Sequence, residues 1–297
     1  MRLETGDWRP EARLPLSIDW EDWFQLCCAP YDLPGALDRF EDRITRATEA
    51  TLALCAEVRA TATWFCLGEQ AERHPELVRR IAAAGHAVGV HGFHHVRAFE
   101  LGPARWREEL VRTRALLQDL TGQPVGGYRA VEWSLRGAAE TWWERLPELG
   151  FRFDSSRAPL NVIGDPRRPR KAHRLPNGLW ELPPGVFMGI PLWGWGQRCF
   201  PPALVSAVLG PRARADLGTP LVLHPWELDA AQPRLPVATF GHAFAHGAGT
   251  LGLADRLRQT WGAFRLTTLE AWVEDAEARE RYSGGLGACP SFRREPR

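Results

Sequence analysis

Strand-like and helix-like patterns alternate along most of this chain, and the links between them are short. That alternation constrains the fold more than any other feature. A strand, a helix and a second strand joined with little spare chain must cross over, so the two strands run parallel. Apolar and β-branched runs predict strands at Leu14–Trp20, Thr61–Leu67, His86–Val90, Val125–Arg129, Phe151–Phe153, Pro220–His224 and Arg265–Thr268. Helical periodicity covers Gly35–Val58, Glu69–Ala84, Pro103–Leu120, Gly137–Leu149, Thr250–Phe264 and a final helix from Leu269. Pro75 must start a helix or break one, and Gly85 and Gly150 are natural stops. The Arg- and Pro-rich stretch Asn161–Gly178 reads as a long loop. An open doubly wound sheet and a barrel both fit this order.

Composition excludes several classes of function. The 297 residues are 44% hydrophobic and 25% charged, which is ordinary for a globular chain able to bury its own core. A net charge of +1 does not favour nucleic acid. None of the six cysteines, Cys27, Cys28, Cys55, Cys66, Cys199 and Cys289, stands in a CxxC pair, which argues against a zinc ribbon or a thioredoxin-like motif. Cys55 and Cys66 sit in apolar stretches as small hydrophobes. No apolar run approaches the length of a membrane span. The opening MRLETGDWRPEARLPL lacks the apolar segment of a signal peptide, so the expectation is cytoplasmic residence, with peripheral attachment to the inner membrane as a variant. The 14 tryptophans are the unusual count; most would be core, but a flat indole also stacks on sugar rings.

Polar residues recur where the predicted strands end. Asp19, Glu21 and Asp22 follow the first, His91 and His95 the third, Arg129 the fourth, then come Asp154 and His224. Parallel α/β folds place their sites at those ends. His91 and His95 are four apart, so a helical turn would put both imidazoles on one side, and with one carboxylate they make a metal site with open positions. The bland reading is a pair of surface or capping histidines. His94 between them should point elsewhere, and His74 and His86 read as structural or exposed. Strand alternation puts Asp19 and Glu21 on one face, where one carboxylate could hold a metal and the other accept a proton; otherwise they form a solvated acidic turn. Arg129 is either a surface ion pair or the partner that orients Asp19. His224 is either a satisfied core histidine or a general acid.

Three segments together resemble one family. SIDWEDWFQ (Ser17–Gln25), ATWFCLGEQAERHPELVRRIAAAGHAVGVHGFHH (Ala62–His95) and LHPWELDAAQPRLP (Leu223–Pro236) are similar, in order and spacing, to the motifs of the polysaccharide deacetylases, the NodB-homology or carbohydrate esterase family 4 proteins. The subgroup resembled is the one found at exosortase and exopolysaccharide loci, which carries a C-terminal extension. The resemblance implies a deformed (β/α)7-type barrel as a single domain over residues 14–230. An arm of residues 1–13 would precede it, a helical extension over 231–285 would pack on it, and 286–297 would form a tail. It implies a metal-dependent hydrolase that removes N-acetyl groups from amino sugars of an exopolysaccharide or its precursor. Asp19 would be the base and His224 the acid. Arg129 would pair with the base, and Asp154 would orient the acid. His91 and His95 would hold a divalent metal, zinc first, with cobalt or nickel as options; the third ligand would be Glu21 or Asp22. Trp133, Trp193 and Trp195 would contact sugar, with Trp20 and Trp23 as further groove aromatics. The implied partner is an N-acetylated oligo- or polysaccharide.

One departure stands out. Relatives have Arg-x-Pro followed by an aromatic two residues later, whereas here Val131 replaces the proline and Glu132 precedes Trp133. A non-catalytic sugar-binding protein, or a deformylase or other amide hydrolase, on the same fold is therefore the alternative expectation.

Overall fold

The computed structural model describes residues 12–25, 38–161, 163–192, 194–233 and 246–285. Its centre is β1 (Arg13–Trp20), a strand buried along almost its whole length. Beside it lie β2 (Thr63–Cys66) and β3 (Ala87–Val90), paired in parallel. Then follow β4 (Gly127–Tyr128), β5 (Phe153–Asp154) and β7 (Trp180–Glu181), also parallel. β6 (His173–Arg174) closes that edge as an antiparallel partner of β7. On its other side β1 takes β10 (Leu221–Leu223), while β11 (Arg265–Thr267) pairs with its first half, where the Leu266 carbonyl also accepts the Thr61 N–H ahead of β2. The nine strands form a curled half-barrel with helices around it. A separate hairpin, β8 (Val186–Phe187) and β9 (Ile190–Pro191), stands off the sheet.

Residue alternation sorts the two faces. Leu14, Leu16, Ile18 and Trp20 of β1, with Trp64 and Cys66 of β2 and Val88 and Val90 of β3, join the main core under the helices. Ser17 and Asp19 point the opposite way, into the concave side, as the period of two requires. Phe65 and Phe153 fill that inner side with Trp180, Leu182 and Trp272. Gly127 makes this possible: a Cβ there would lie 2.3 Å from the Phe153 ring.

The helices are α1 (Ile44–Glu57), α2 (Gly68–Arg73), α3 (Pro75–Ala83), α4 (Ala98–Leu101), α5 (Pro103–Thr121), α6 (Trp195–Cys199), α7 (Pro202–Arg214), α8 (Leu253–Trp261) and α9 (Leu269–Gly285). Several differ from the periodicity. The first helix begins at Ile44, because the Arg43 and Ile44 N–H groups are taken by Asp22 and Asp42 side chains. The Glu69–Ala84 run splits at His74, with Pro75 opening the second helix. The Gly137–Leu149 stretch is not an α-helix but a series of 3₁₀ turns at Gly137–Ala139, Trp142–Arg145 and Pro147–Leu149. Pro147 supplies no N–H for an α-helical ladder there. The expected loop Asn161–Gly178 contains β6.

The C-terminal segment does more than cover the barrel. Its strand β11 pairs with β1, the most buried strand, and Leu269, Trp272 and Val273 of α9 enter the inner core. No helix among the described residues is long and apolar enough to cross a membrane.

Candidate active site

The polar residues gather at the C-terminal ends of the parallel strands. His91 directly follows β3 and is buried. Its Nδ1–H donates to the Arg129 carbonyl at 2.8 Å. That bond fixes the tautomer and aims Nε2 at the Glu21 carboxylate, 2.8 Å from Oε1. His95 Nε2 lies 3.0 Å from the same oxygen. The two rings converge without a helix: residues 91–97 run as a bend. Gly92 takes φ of +103°, a value that favours glycine. Its carbonyl accepts the Gly68 N–H and the Thr113 hydroxyl, while Glu109 accepts the Phe93 and His94 N–H groups. The loop is thereby pinned, and His94 turns away onto Glu69 at 3.1 Å.

Burial alone would raise the Glu21 carboxyl, but the His95 charge and the hydrogen bonds from His91 and His95 hold it well below the usual range. Ligand atoms of Glu21, His91 and His95 all lie within 4.8 Å of one another. Once Nδ1 of His91 is committed to a carbonyl, its neutral Nε2 is a lone pair facing a carboxylate oxygen. A cation between them, or an extra proton, resolves that arrangement. The donor set therefore fits a divalent metal, with its outer hydrogen bond in place.

Asp22 is not part of this cluster. Its two oxygens accept the N–H groups of Trp23 at 2.8 Å and Arg43 at 2.9 Å, and burial pushes its carboxyl up to about 6. It ties the turn after β1 to the start of α1.

Asp19 is held from one side. Arg129 is fully buried and donates Nη1–H to Asp19 Oδ1 at 2.6 Å and to the Ser17 hydroxyl at 2.8 Å. An Nη2–H goes to Ser155 Oγ and Nε–H to the Ser155 carbonyl. Its guanidinium carbon lies 4.4 Å from the Phe65 ring centroid. The second Asp19 oxygen faces His224, with Nε2 at 3.8 Å.

His224 follows β10 and starts a 3₁₀ turn. The carboxylate that orients it is Glu227, which takes Nδ1–H at 2.7 Å. Glu227 is fully buried and its other oxygen meets Arg198 Nε at 2.9 Å. Desolvation pulls the His224 pKa down, but the Glu227 hydrogen bond and the charges of Glu21, Glu227 and Asp19 push it up to about 9. The ring stacks on Trp226, and Trp226 stacks on His246. Glu227, Arg198 and Ser155 were not singled out from the sequence. The one available signal was Glu227 standing three residues after His224.

The role expected for Asp154 is thus filled by a nearer acid. Asp154 ends β5 opposite Glu181 of β7, both fully buried. It bonds Ser156, whose hydroxyl accepts the Ala130 N–H at 2.8 Å. This braces the backbone next to Arg129. Burial pushes both carboxyls up, Glu181 well above the usual range with Asp154 adding to it, so the folded pair keeps a proton to higher pH than the unfolded chain does. The unfolded chain releases that proton above about pH 4.5, so native stability must fall as pH rises toward the folded value, by about 1.4 kcal/mol per pH unit for one proton. Glu181→Gln should remove this slope. Denaturant unfolding should find it no less stable than wild type near pH 8 and relatively weaker near pH 5.

The expected sugar-stacking aromatics are mostly elsewhere. Trp133 is buried with Ala158, Leu160, Val186 and Val222, behind Arg129. Trp20 is fully buried on Thr48, and Trp23 is buried with its N–H on the Glu41 carbonyl. Trp195 opens α6, and its side chain, like residue Trp193, lies outside what is described. Cys27, Cys28 and Cys289 also lie outside the described residues. Val131, in place of the proline, packs on Leu67. Glu132 and Trp133 take φ of +48° and +51°, a left-handed pair that costs about 1–2 kcal/mol per residue. Glu132 is neutralised by Arg97 at 2.8 Å.

Residues 38–152 match the family model for polysaccharide deacetylase, and residues 155–274 match a domain family of unknown function, DUF3473. The chain carries a polysaccharide deacetylase domain followed by a DUF3473 domain. Similar proteins include a peptidoglycan deacetylase of Helicobacter pylori, 32% identical over 105 residues, 35% of each chain. A peptidoglycan-N-acetylglucosamine deacetylase of Bacillus cereus is 38% identical over 121 residues, 40% of this chain and 42% of that one. A chitooligosaccharide deacetylase of Rhizobium leguminosarum bv. trifolii is 42% identical over 72 residues, 22% of this chain and 34% of that one. The matched stretch is thus well under half of each of these relatives. Over the whole chain, a crystallised protein of Mycobacterium smegmatis described as a polysaccharide deacetylase has the same fold, with a TM-score of 0.61 at 20% identity, covering 99% of this chain and 97% of that one. The two family segments are not separate bodies. The deacetylase segment carries His91, His95 and Arg129, and the DUF3473 segment carries His224, Glu227 and Arg198.

Proposed function

We propose that this chain is a metal-dependent hydrolase that removes N-acetyl groups from amino sugars of a polysaccharide or its precursor. The observation that carries the reading is the convergence of Glu21, His91 and His95 beside Asp19, with His224 across the same mouth. Glu21, His91 and His95 would hold the cation, zinc first and cobalt or nickel next by donor type. A divalent ion there lowers the pKa of a water and polarises an acyl carbonyl.

The chain's own residues supply the proton transfers. Asp19 has one oxygen locked by Arg129 and the other turned to the pocket, so it is placed to take the proton of the attacking water. His224 has Nδ1 locked by Glu227, which leaves Nε2 toward the same space, where it gives a proton to the departing amine. The products are acetate and a free amino sugar. Ser17, Ser155 and Phe65 keep Arg129 from swinging away.

The test is acetate release from N-acetylated oligosaccharides by the purified chain, with chelator and with added zinc. Release that chelator abolishes and zinc restores is the expected result. Zinc bound at one ion per chain without release of acetate from any such sugar would overturn deacetylation in favour of another acyl group or a binding role. Metal titration of variants separates the two acidic candidates. Glu21→Gln should weaken zinc binding by about 10-fold or more, while Asp22→Asn should leave it unchanged and lower Tm. The reverse pattern would make Asp22 the ligand.

A further inference from the structure

The hairpin β8–β9 carries an exposed feature that the chemistry above does not use. Its turn presents Met188, 80% exposed, at φ of +50°. That backbone region favours Gly, Asn or Asp. A large apolar side chain is therefore held out in water in a conformation that does not suit it. Beside the tip, Leu204 of α7 is 49% exposed. Phe187, Ile190, Phe200, Leu204 and Val208 line an apolar crevice of about 100 Å³ between the hairpin and α6–α7. On the hairpin's other flank a wider hollow of about 460 Å³ is lined by Pro159, Leu160, Ile163 and Pro166 against Gly189 and Pro191. The whole edge is apolar on both sides of one protruding turn.

Charge supplies the second observation. Arg170 borders the wider hollow and is exposed. Arg212 lies over the Phe187 ring at 5.3 Å and, among the described residues, donates to the carbonyls of Val208 and Val186. The two arginines are close enough that Arg170, together with burial, lowers the Arg212 pKa. Among the described residues neither has a carboxylate partner. Elsewhere on this surface arginines are commonly paired: Arg97, Arg112, Arg152, Arg174 and Arg258 all meet acids. Two cations without acidic partners, beside exposed apolar side chains, match a surface that is anionic at the headgroup and apolar just beneath it.

We propose that the β8–β9 hairpin docks on an anionic lipid surface, with Met188 and Leu204 entering the headgroup–acyl boundary and Arg170 and Arg212 meeting lipid phosphates. The base of the hairpin is built into the site wall: Val186 packs with Trp133 and Val222, behind Arg129 and next to His224. Docking would therefore set the mouth of the pocket near the plane of the headgroups. The lipid contact itself does not depend on the proposed reaction. A few apolar side chains and two charges give weak, reversible, salt-sensitive binding.

Flotation of the full chain with phosphatidylglycerol–phosphatidylcholine vesicles, against phosphatidylcholine alone, tests the proposal. Binding should require the anionic lipid and fall as salt rises. Arg170→Gln should weaken it about fivefold, from the cost of about 1 kcal/mol per cation lost near such a surface. Met188→Asn should weaken it about tenfold or more while holding or raising Tm, since Asn suits the left-handed turn. That choice separates lost docking from lost folding. Leu251→Ser, at an 81% exposed site outside the hairpin and both hollows, should change nothing. The proposal is overturned if anionic vesicles do not carry the chain, if Leu251→Ser and Met188→Asn act alike, or if Met188→Asn instead dissolves a self-associated form seen by size exclusion without vesicle binding.

Discussion

Asp19→Asn is expected to lower kcat for acetate release by about 10²–10⁴-fold, the usual contribution of a positioned general base, while zinc content stays at one ion per chain. The geometry makes this variant informative. Asn keeps the shape of Asp19 and an oxygen for the 2.6 Å bond from Arg129, but it cannot accept the proton of an attacking water. The ligand cluster of Glu21, His91 and His95 is left intact. Removing one member of a buried ion pair can cost about 3–5 kcal/mol, because the other charge is stranded. Arg129 retains Ser17 and Ser155, so the loss here should fall at the low end, visible as a lower Tm in a chain that still folds. Metal content is the control: loss of both activity and zinc would mean that the site collapsed. Acetate release near the wild-type rate with zinc bound would remove Asp19 from the role of base.

The second large effect is expected at the acid. His224→Ala should reduce kcat by about 10²–10⁴-fold with little change in KM, since in the proposed reaction Nε2 acts on the leaving nitrogen and does not hold the sugar. A pure KM effect would sink the assignment. Glu227 gives the sharper test because it meets the imidazole at Nδ1, the nitrogen away from the pocket. Its carboxylate raises the His224 pKa, so Glu227→Gln should move the alkaline limb of the kcat–pH profile to lower pH. The sign follows from the requirement that His224 be protonated to act: less negative charge beside it means that the proton leaves at lower pH. A variant that is merely less stable would lose amplitude without moving that limb. Asp154→Asn should leave the limb in place, because Asp154 braces the Ala130 backbone through Ser156 and does not meet His224 Nδ1.

The Arg198–Glu227–His224 chain also gives the DUF3473 segment a concrete place in the molecule. It supplies β10 and β11, both paired with β1, and after β10 it supplies His224, which faces Asp19 across the pocket. The family boundary between residues 152 and 155 therefore runs through the middle of one curled sheet.

Much of this was legible along the chain. Strands of period two and short crossovers imposed parallel pairing, and polar residues after the strands had to meet at one rim, whatever the details. The same-face placement of Asp19 with Glu21 followed from pleating alone. Other features depended on how distant segments close. Asp22 and Glu21 are both carboxylates just after β1, and only the capture of the Asp22 oxygens by Trp23 and Arg43 kept it out of the Glu21–His91–His95 cluster. His91 and His95 converge because of a glycine bend pinned by Glu109, not through the helical turn that their spacing implied. The stretch Gly137–Leu149 carried helical periodicity, yet Pro147 and its packing broke it into 3₁₀ turns. Trp133 could have lined a groove, but the left-handed turn at Glu132 folded it into the wall behind Arg129. Glu227 displaced Asp154 as the partner of His224 because the 3₁₀ turn after β10 brings Glu227, three positions on, back to His224. Periodicity is a local property, so the chain determined its strands, its topology and the rim where the chemistry lies. The choice among equivalent acids is a matter of distance and hydrogen-bond competition between remote segments, and only the tertiary structure made it.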